Sequence, residues 1–215
     1  MNQLSIPRGD RASVKKLGAV AKIDQFLSRS VSKHPKTTCR VAHDGRNIYL
    51  RFDVRDRWVH CLRRPFQGRV WQDSCVEFFV HPRPTKGYFN FEINCAGQML
   101  MYYIADWRRD EHKHFLKRTE LTKADYAKLE IAAKLKAPID PVISTPVNWW
   151  IDATIPLAVL EQYVGKLGDL GGQTWRANFQ KCGGDPKHNH WATWNPIGEK
   201  VNFHQPDKFG MLVFE

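Results

Sequence analysis

The sequence predicts an all-β fold, an antiparallel β-sandwich of the jelly-roll or immunoglobulin-like kind with short helical insertions. Three observations lead there. Short runs of alternating apolar and polar residues recur along the 215-residue chain, the period of a strand with one buried face. Gly and Pro fall between these runs, where turns are needed. Stretches with helical periodicity are few and short. Many brief strands with little helix fit a two-sheet architecture.

In chain order, residues 1–37 read as an irregular N-terminal extension packing on the domain, with a short helix near Ala19–Phe26. Residues 38–215 read as one sandwich with no further boundary. Thr38–Ala42 and Asn47–Val54 flank His43-Asp44-Gly45-Arg46, and Asp-Gly between β-prone runs is a strong hairpin signal. Ser74–His81 is a strand closed off by Pro82 and Pro84. Tyr88–Cys95 and Gln98–Ile104 form a second hairpin around Ala96-Gly97. Residues 105–128 are polar and charged, and are expected as a long excursion with helix around Thr122–Leu129. There Thr122 and Asp125 have the spacing of a capping box. Glu130–Leu135 pairs with Trp149–Ile155 around a Pro-rich loop at 138–146. Pro156–Tyr163 reads as one or two helical turns, Thr174–Lys181 alternates, and Phe209–Phe214 is an apolar closing strand.

Hydrophobic residues make up 42% and charged residues 26%, which excludes wholesale disorder and low-complexity repeats. A chain of this length buries a full core without disulfides or metals. The net charge of +11 is concentrated. Residues 1–70 hold 16 Lys/Arg against 5 Asp/Glu, and residues 71–215 hold 17 of each. This basic third matches no RRM, KH or helix-turn-helix pattern, so nucleic acid is not the expected partner. No stretch approaches the roughly 18 apolar residues of a membrane helix. The N-terminus lacks an apolar signal region, and the five cysteines are an odd count with no CxxC pair. Reduced thiols and a cytoplasmic location are the expectation.

Alternation splits three strands into two faces. Val76, Phe78 and Val80 oppose Cys75, Glu77 and Phe79. Phe89, Phe91, Ile93 and Cys95 oppose Asn90, Glu92 and Asn94. Trp175, Ala177 and Phe179 oppose Arg176, Asn178 and Gln180. A solvated sheet face more often carries Lys, Thr and Ser. Planar amides and carboxylates at this density suit paired hydrogen bonds to vicinal hydroxyls, which points to a polyol-binding face. Trp71, Trp191 and Trp194 lie in polar segments beside it, and an indole ring stacks on the C–H face of a pyranose. Trp175 follows the apolar period and is assigned to the core.

Rival constellations are weaker. Glu77 and Glu92 could be a glycosidase carboxylate pair, or serve an accessory protein acting on a sugar derivative. No second residue that would orient them is evident. His112-x-His114 and His188-x-His190 have no Cys or carboxylate at ligand spacing and read as solvated loop histidines. Cys75 and Cys182 flank the polar face without an identifiable general base. No catalytic residue and no metal ligand are assigned.

The segment Trp71-Gln72-Asp73-Ser74-Cys75-Val76-Glu77-Phe78-Phe79 resembles the signature loop and strand of family 9 carbohydrate-binding modules. Further segments follow in the order of that family's stand-alone branch. They are Tyr88–Asn94, Arg176–Gly183, Trp194-Asn195-Pro196 and Phe203–Gly210. The resemblance covers about residues 38–215. It implies a β-sandwich that binds the reducing ends of mono- and oligosaccharides without catalysis, in a family best known as an appendage of xylan- and cellulose-degrading hydrolases. By this resemblance Trp71 is one residue of an aromatic clamp, with Phe203 in place of the second tryptophan. Glu77, Asn94 and Gln180 match polar ligand contacts. Glu92 stands where the family has a ligand-contacting arginine, so it is expected to pair with Arg176 or to bind a hydroxyl. Trp194 is a candidate wall residue. Family members can carry structural calcium, but no dense Asp/Asn loop is evident here, and no cofactor is assigned. The expected partner is a small saccharide, and the basic stretch flanking the site favours an anionic one, a uronate or a phosphate.

Overall fold

A computed structural model of the chain describes residues 1–31, 35–183, 185 and 187–215. Two sheets face each other. The larger runs in the order β1 (Gln3–Ile6), β16 (Gly210–Phe214), β14 (Thr174–Gly183), β7 (Cys75–His81), β8 (Tyr88–Asn94), β9 (Met99–Arg109) and β10 (Phe115–Glu120). The end of β14 also pairs with β15 (His190–Thr193), which pairs with β3 (Gln25–Phe26). The smaller sheet is β11 (Glu130–Ala133), β13 (Val147–Pro156), β5 (Asn47–Asp56), β4 (Lys36–His43) and β2 (Ala19–Ile23). A two-stranded ribbon joins β6 (Val59–Cys61) to β12 (Ile139–Ile143). Among the described strands, pairing is antiparallel except for β1 beside β16. The antiparallel sandwich predicted from alternation is therefore the fold.

The turns form where local chemistry demands them. Between β4 and β5, Gly45 has φ +95°, a conformation that favours glycine. A Cβ there would also lie 2.3 Å from Asp169 Oδ2. Asp44 Oδ1 accepts the N–H groups of Arg46 and Asn47 at 2.9 and 2.7 Å, the side-chain turn that Asp favours. The capping box holds as well. Thr122 Oγ1 accepts from the Asp125 N–H while Asp125 Oδ2 accepts from the Thr122 N–H. It opens the single turn α2 (Lys123–Tyr126). The predicted turns at 156–163 are α3 (Leu157–Val164), which buries Leu157, Val159, Leu160 and Val164.

The inner faces interleave aromatics. Phe179 stacks on Phe78 at 5.1 Å and meets Phe52 of the opposite sheet edge-on at 6.3 Å. Trp149, Ile151 and Leu50 fill in beside them, and Trp175 is buried as predicted. Each such side chain contributes about 1.5–3 kcal/mol by leaving water, so this layer is the main source of stability.

Two segments differ from expectation. The described part of residues 1–37 is not irregular: β1, β2 and β3 join three different strands, preceded in the case of β2 by the single turn α1 (Val14–Leu17). These strands are short and lie at sheet edges, so they carry too few alternating residues to register. The excursion at 105–128 is largely a hairpin. β9 continues past Ile104 to Arg109 and returns as β10, with register shifts between Phe115 and Arg118. Both arms are exposed on nearly all sides, so there was no apolar face for alternation to reveal.

Candidate functional site

The outer face of the large sheet is not solvated. Loops at 62–73 and 194–209 cover it and form a second apolar cluster. There Val70, Ile197, Phe203 and Phe209 pack on Phe79, Tyr88 and Leu100. The polar set predicted from alternation lies beneath this layer, and Glu77, Asn90, Glu92, Asn94, Asn178 and Gln180 are all buried.

Strand register arranges these groups in rungs. Gln180, Glu77, Glu92 and Leu100 lie side by side across β14, β7, β8 and β9. The next rung is Cys182, Cys75 and Asn94. Above the first rung the loop layer opens into a cavity of about 680 Å3, with Glu77, Glu92, Leu100 and Cys182 exposed to it. Its walls are aromatic. Trp71, on a 3-10 turn at Val70–Gln72, is 48% exposed at the rim. Trp191 on β15 and the buried Phe203 contribute further ring surface. Tyr102, Phe115 and His204 line the side nearest the hairpin.

The floor holds two carboxyls in register with each other. Glu92 Oε1 accepts from Asn90 Nδ2 at 2.7 Å, while the buried Glu92 Oε2 has no partner. Burial pushes Glu92 up to about 7. Glu77 is likewise pushed well up, by burial first and by the neighbouring Glu92 second. Two adjacent buried carboxyls cannot both ionise cheaply. Four cations line the same cavity, Arg69, Arg109, Lys113 and Arg118. The Arg109 guanidinium lies 4.0 Å over Phe115, and that of Arg118 lies 4.6 Å over Tyr102. Only one of these four, Arg69, belongs to the basic first third. Several cations of that third lie in ion pairs instead, such as Arg8 with Asp169, Arg51 with Asp152 and Arg64 with Asp73. The site's positive charge therefore comes mainly from the hairpin, not from the stretch that composition singled out.

Of the eight residues singled out from sequence, the cavity gathers Trp71, Glu77, Glu92 and Phe203. The other four do not line it. Asn94 turns into the β8–β9 turn, where Oδ1 accepts from the N–H of Ala96 and of Gln98 and Nδ2 donates to Asp73. Gln180 is fully buried beneath the loop layer, where its amide nitrogen can donate to the Asn178 and Glu77 carbonyls. Arg176 does not pair with Glu92. Its guanidinium donates to the carbonyls of Asp207 and Phe209 and so holds the turn at Pro206–Lys208. Trp194 is buried with its ring edge-on to Phe179 at 5.6 Å, and a Cβ on Gly210 would strike it at 2.6 Å. It is a core residue. Sequence reading missed Arg109, Lys113 and Arg118 because they sit on the unrecognised hairpin. The only available signal was their density of positive charge.

The fold has solved relatives. A protein of Bacteroides uniformis ATCC 8492, whose proposed role is carbohydrate binding, is 30% identical over 100% of this chain and 99% of its own, with a TM-score of 0.86. A family 9 carbohydrate-binding module of Caldicellulosiruptor kristjanssonii was solved with cellotriose and with glucose. The two structures share 14% identity with this chain and have TM-scores of 0.65 and 0.62, covering 100% of it and 94% and 96% of their own chains. Among curated proteins none is similar enough to count as a match. The model of carbohydrate-binding family 9 matches residues 10–214. On that match, spanning nearly the whole length, the chain belongs to carbohydrate-binding family 9.

Proposed function

We propose that the chain binds the reducing end of a mono- or oligosaccharide in this cavity without chemical change. The observation that carries the reading is Glu92 Oε2, a buried acceptor with no partner at the floor of an aromatic-walled cavity. A buried polar atom left unpaired is costly, and a sugar hydroxyl donating to it would remove that cost. Trp71 and Phe203 clamp the ring, with Trp191 extending the apolar wall, and Glu77 receives a second hydroxyl. The volume lies within the usual range for a small-molecule site. Membership of a carbohydrate-binding family and the sugar complexes of its structural neighbours support the same reading. The surrounding cations favour a sugar bearing a carboxylate or phosphate, with the anion toward Arg109, Lys113 and Arg118.

Titration of tryptophan fluorescence with glucose, xylose, cellobiose and glucuronate tests the proposal. A saturable shift that is lost in Trp71→Ala is expected. A flat response to every sugar at millimolar concentration, with Trp71→Ala indistinguishable from the parent, would sink it.

One observation favours a second reading. Paired carboxyls pushed upward by burial are also what a glycoside-processing site needs. Product formation from a panel of aryl glycosides, abolished by Glu77→Gln, would replace binding with turnover.

A further inference from the structure

The cavity floor carries a donor set of which the sugar reading uses only Glu77. Cys75 and Glu77 are two apart on β7 and so share its outer face. Cys182 on β14 lies directly opposite Cys75 in register. All three are buried, and one ligand atom from each, the two Sγ atoms and a Glu77 carboxylate oxygen, lie within 4.8 Å of one another. With no CxxC pair among the cysteines, the sequence assigns no metal ligand, although it places Cys75 and Cys182 flanking the polar face. The pairing of distant strands creates the cluster.

We propose that Cys75, Glu77 and Cys182 bind a thiophilic d10 cation, Zn2+ in the first instance, with one coordination position open to the cavity. One of the three donor spacings matches that of the bound state. Tetrahedral zinc, with bonds of about 2.3 Å to sulfur and 2.0 Å to oxygen, sets neighbouring sulfur and oxygen about 3.5 Å apart. Cys182 Sγ and Glu77 Oε1 are 3.4 Å apart. The two thiols contact each other. Beyond that and the carboxylate contact, they make long contacts to carbonyls, Cys75 to Val76 at 3.5 Å and Cys182 to Trp71 at 3.6 Å. Glu77 and Cys182 both line the cavity, which supplies the entry path. Glu92, 4% exposed and with a buried Oε2 that has no partner, sits beside Glu77 in register on the same floor. Three protein donors and an open position form the arrangement of a reactive zinc site rather than a closed structural one. Two sulfur donors select zinc over magnesium or calcium. Binding is a plain exchange: Zn2+ enters, the two thiol protons and the proton held by the Glu77 carboxyl leave to solvent, and no electron moves. The proposal does not depend on the sugar reading, because it needs only these donors.

The test is titration of the fully reduced protein with Co2+, a zinc substitute whose bonds to thiolate give charge-transfer absorption in the near ultraviolet. No sugar is present, so the outcome is separate from that of the sugar titration. One equivalent per chain should produce the band, and Zn2+ should abolish it by displacement. Cys75→Ser with Cys182→Ser should remove the band. Glu77→Gln should weaken binding by at least the tenfold or so that loss of a mere supporting contact costs. Zn2+ should also raise the melting temperature of the parent and leave that of the double serine variant unmoved, a comparison that stands even if the variant is less stable. Absence of the band at one equivalent, or a band of unchanged intensity in the double variant, overturns the proposal.

Discussion

Lys181 Nζ lies 3.1 Å from Asp56 Oδ2 in the dry space between the sheets, with neither side chain more than 1% exposed. Lys181 belongs to β14 of the large sheet and Asp56 ends β5 of the small one, so the pair bridges the sandwich. The ammonium also donates to His190 Nε2 and to the Cys182 carbonyl, both at 2.7 Å. It lies 5.7 Å from the centre of the Trp149 ring. Removing one partner strands a charge in an apolar layer, which costs about 3–5 kcal/mol, whereas replacing both with apolar side chains is close to neutral. Lys181→Met is therefore expected to lose roughly that much by urea unfolding, and Lys181→Met with Asp56→Leu to recover most of it. A single variant within 1 kcal/mol or so of the parent would show that the bridge is dispensable.

His190 sets an acid sensitivity. Because Nε2 accepts from Lys181, the imidazole must be neutral. Burial first, and the Lys181 ammonium second, hold it down to about 3. In the unfolded chain the same ring takes a proton near pH 6.5. Between those values the unfolded state binds more protons, so stability falls as pH drops. From pH 7 to pH 5 the loss assigned to this group is about 2 kcal/mol. Asp44, held at about 2 mainly by hydrogen bonds from Tyr49 and Asn47 that outweigh its burial, contributes only below its ordinary value near 4. Urea midpoints at the two pH values should show the difference, and His190→Gln should remove its share, leaving that of His204, which burial likewise holds down to about 3. An equal slope in that variant would assign the effect elsewhere.

On the proposed reading, the Arg and Lys side chains that line the cavity make ligand charge a test. Glucuronate should bind more tightly than glucose, by about tenfold or more if one charge-assisted hydrogen bond forms. The gap should narrow at high salt, because the site is open to solvent. Arg118→Ala should reduce the preference while leaving glucose affinity near that of the parent. Equal affinities for the two sugars at low salt would remove the charge from the recognition model and leave the neutral contacts intact.

Asn94 separates stability from recognition. It satisfies two N–H groups of the β8–β9 turn and donates to Asp73. Asn94→Ala should cost about 1–3 kcal/mol through unpaired buried groups, with sugar affinity unchanged under conditions where the variant is folded. Glu92→Gln should do the reverse, weakening sugar binding with little effect on unfolding. If Asn94→Ala instead abolishes binding at full stability, the residue contacts the ligand.

Residue order by itself determined the sandwich, most of its longer strands and the shared face of Glu77 and Glu92. The reason is local: alternation, turn residues and a capping box are read within a few positions. That same alternation put Glu77, Glu92, Asn94 and Gln180 on one face. It could not say that loops at 62–73 and 194–209 would bury the face, leaving Glu92 at a cavity and locking Asn94 and Gln180 away. It set Lys181 in line with Trp175, Ala177 and Phe179, and only the approach of the opposite sheet supplied Asp56. The hairpin that carries Arg109, Lys113 and Arg118 was silent because neither of its faces packs on the core. Cys75 and Cys182 are over a hundred positions apart, and strand register alone makes them neighbours. Periodicity records which face a side chain takes, and tertiary packing decides what covers that face and what it meets there.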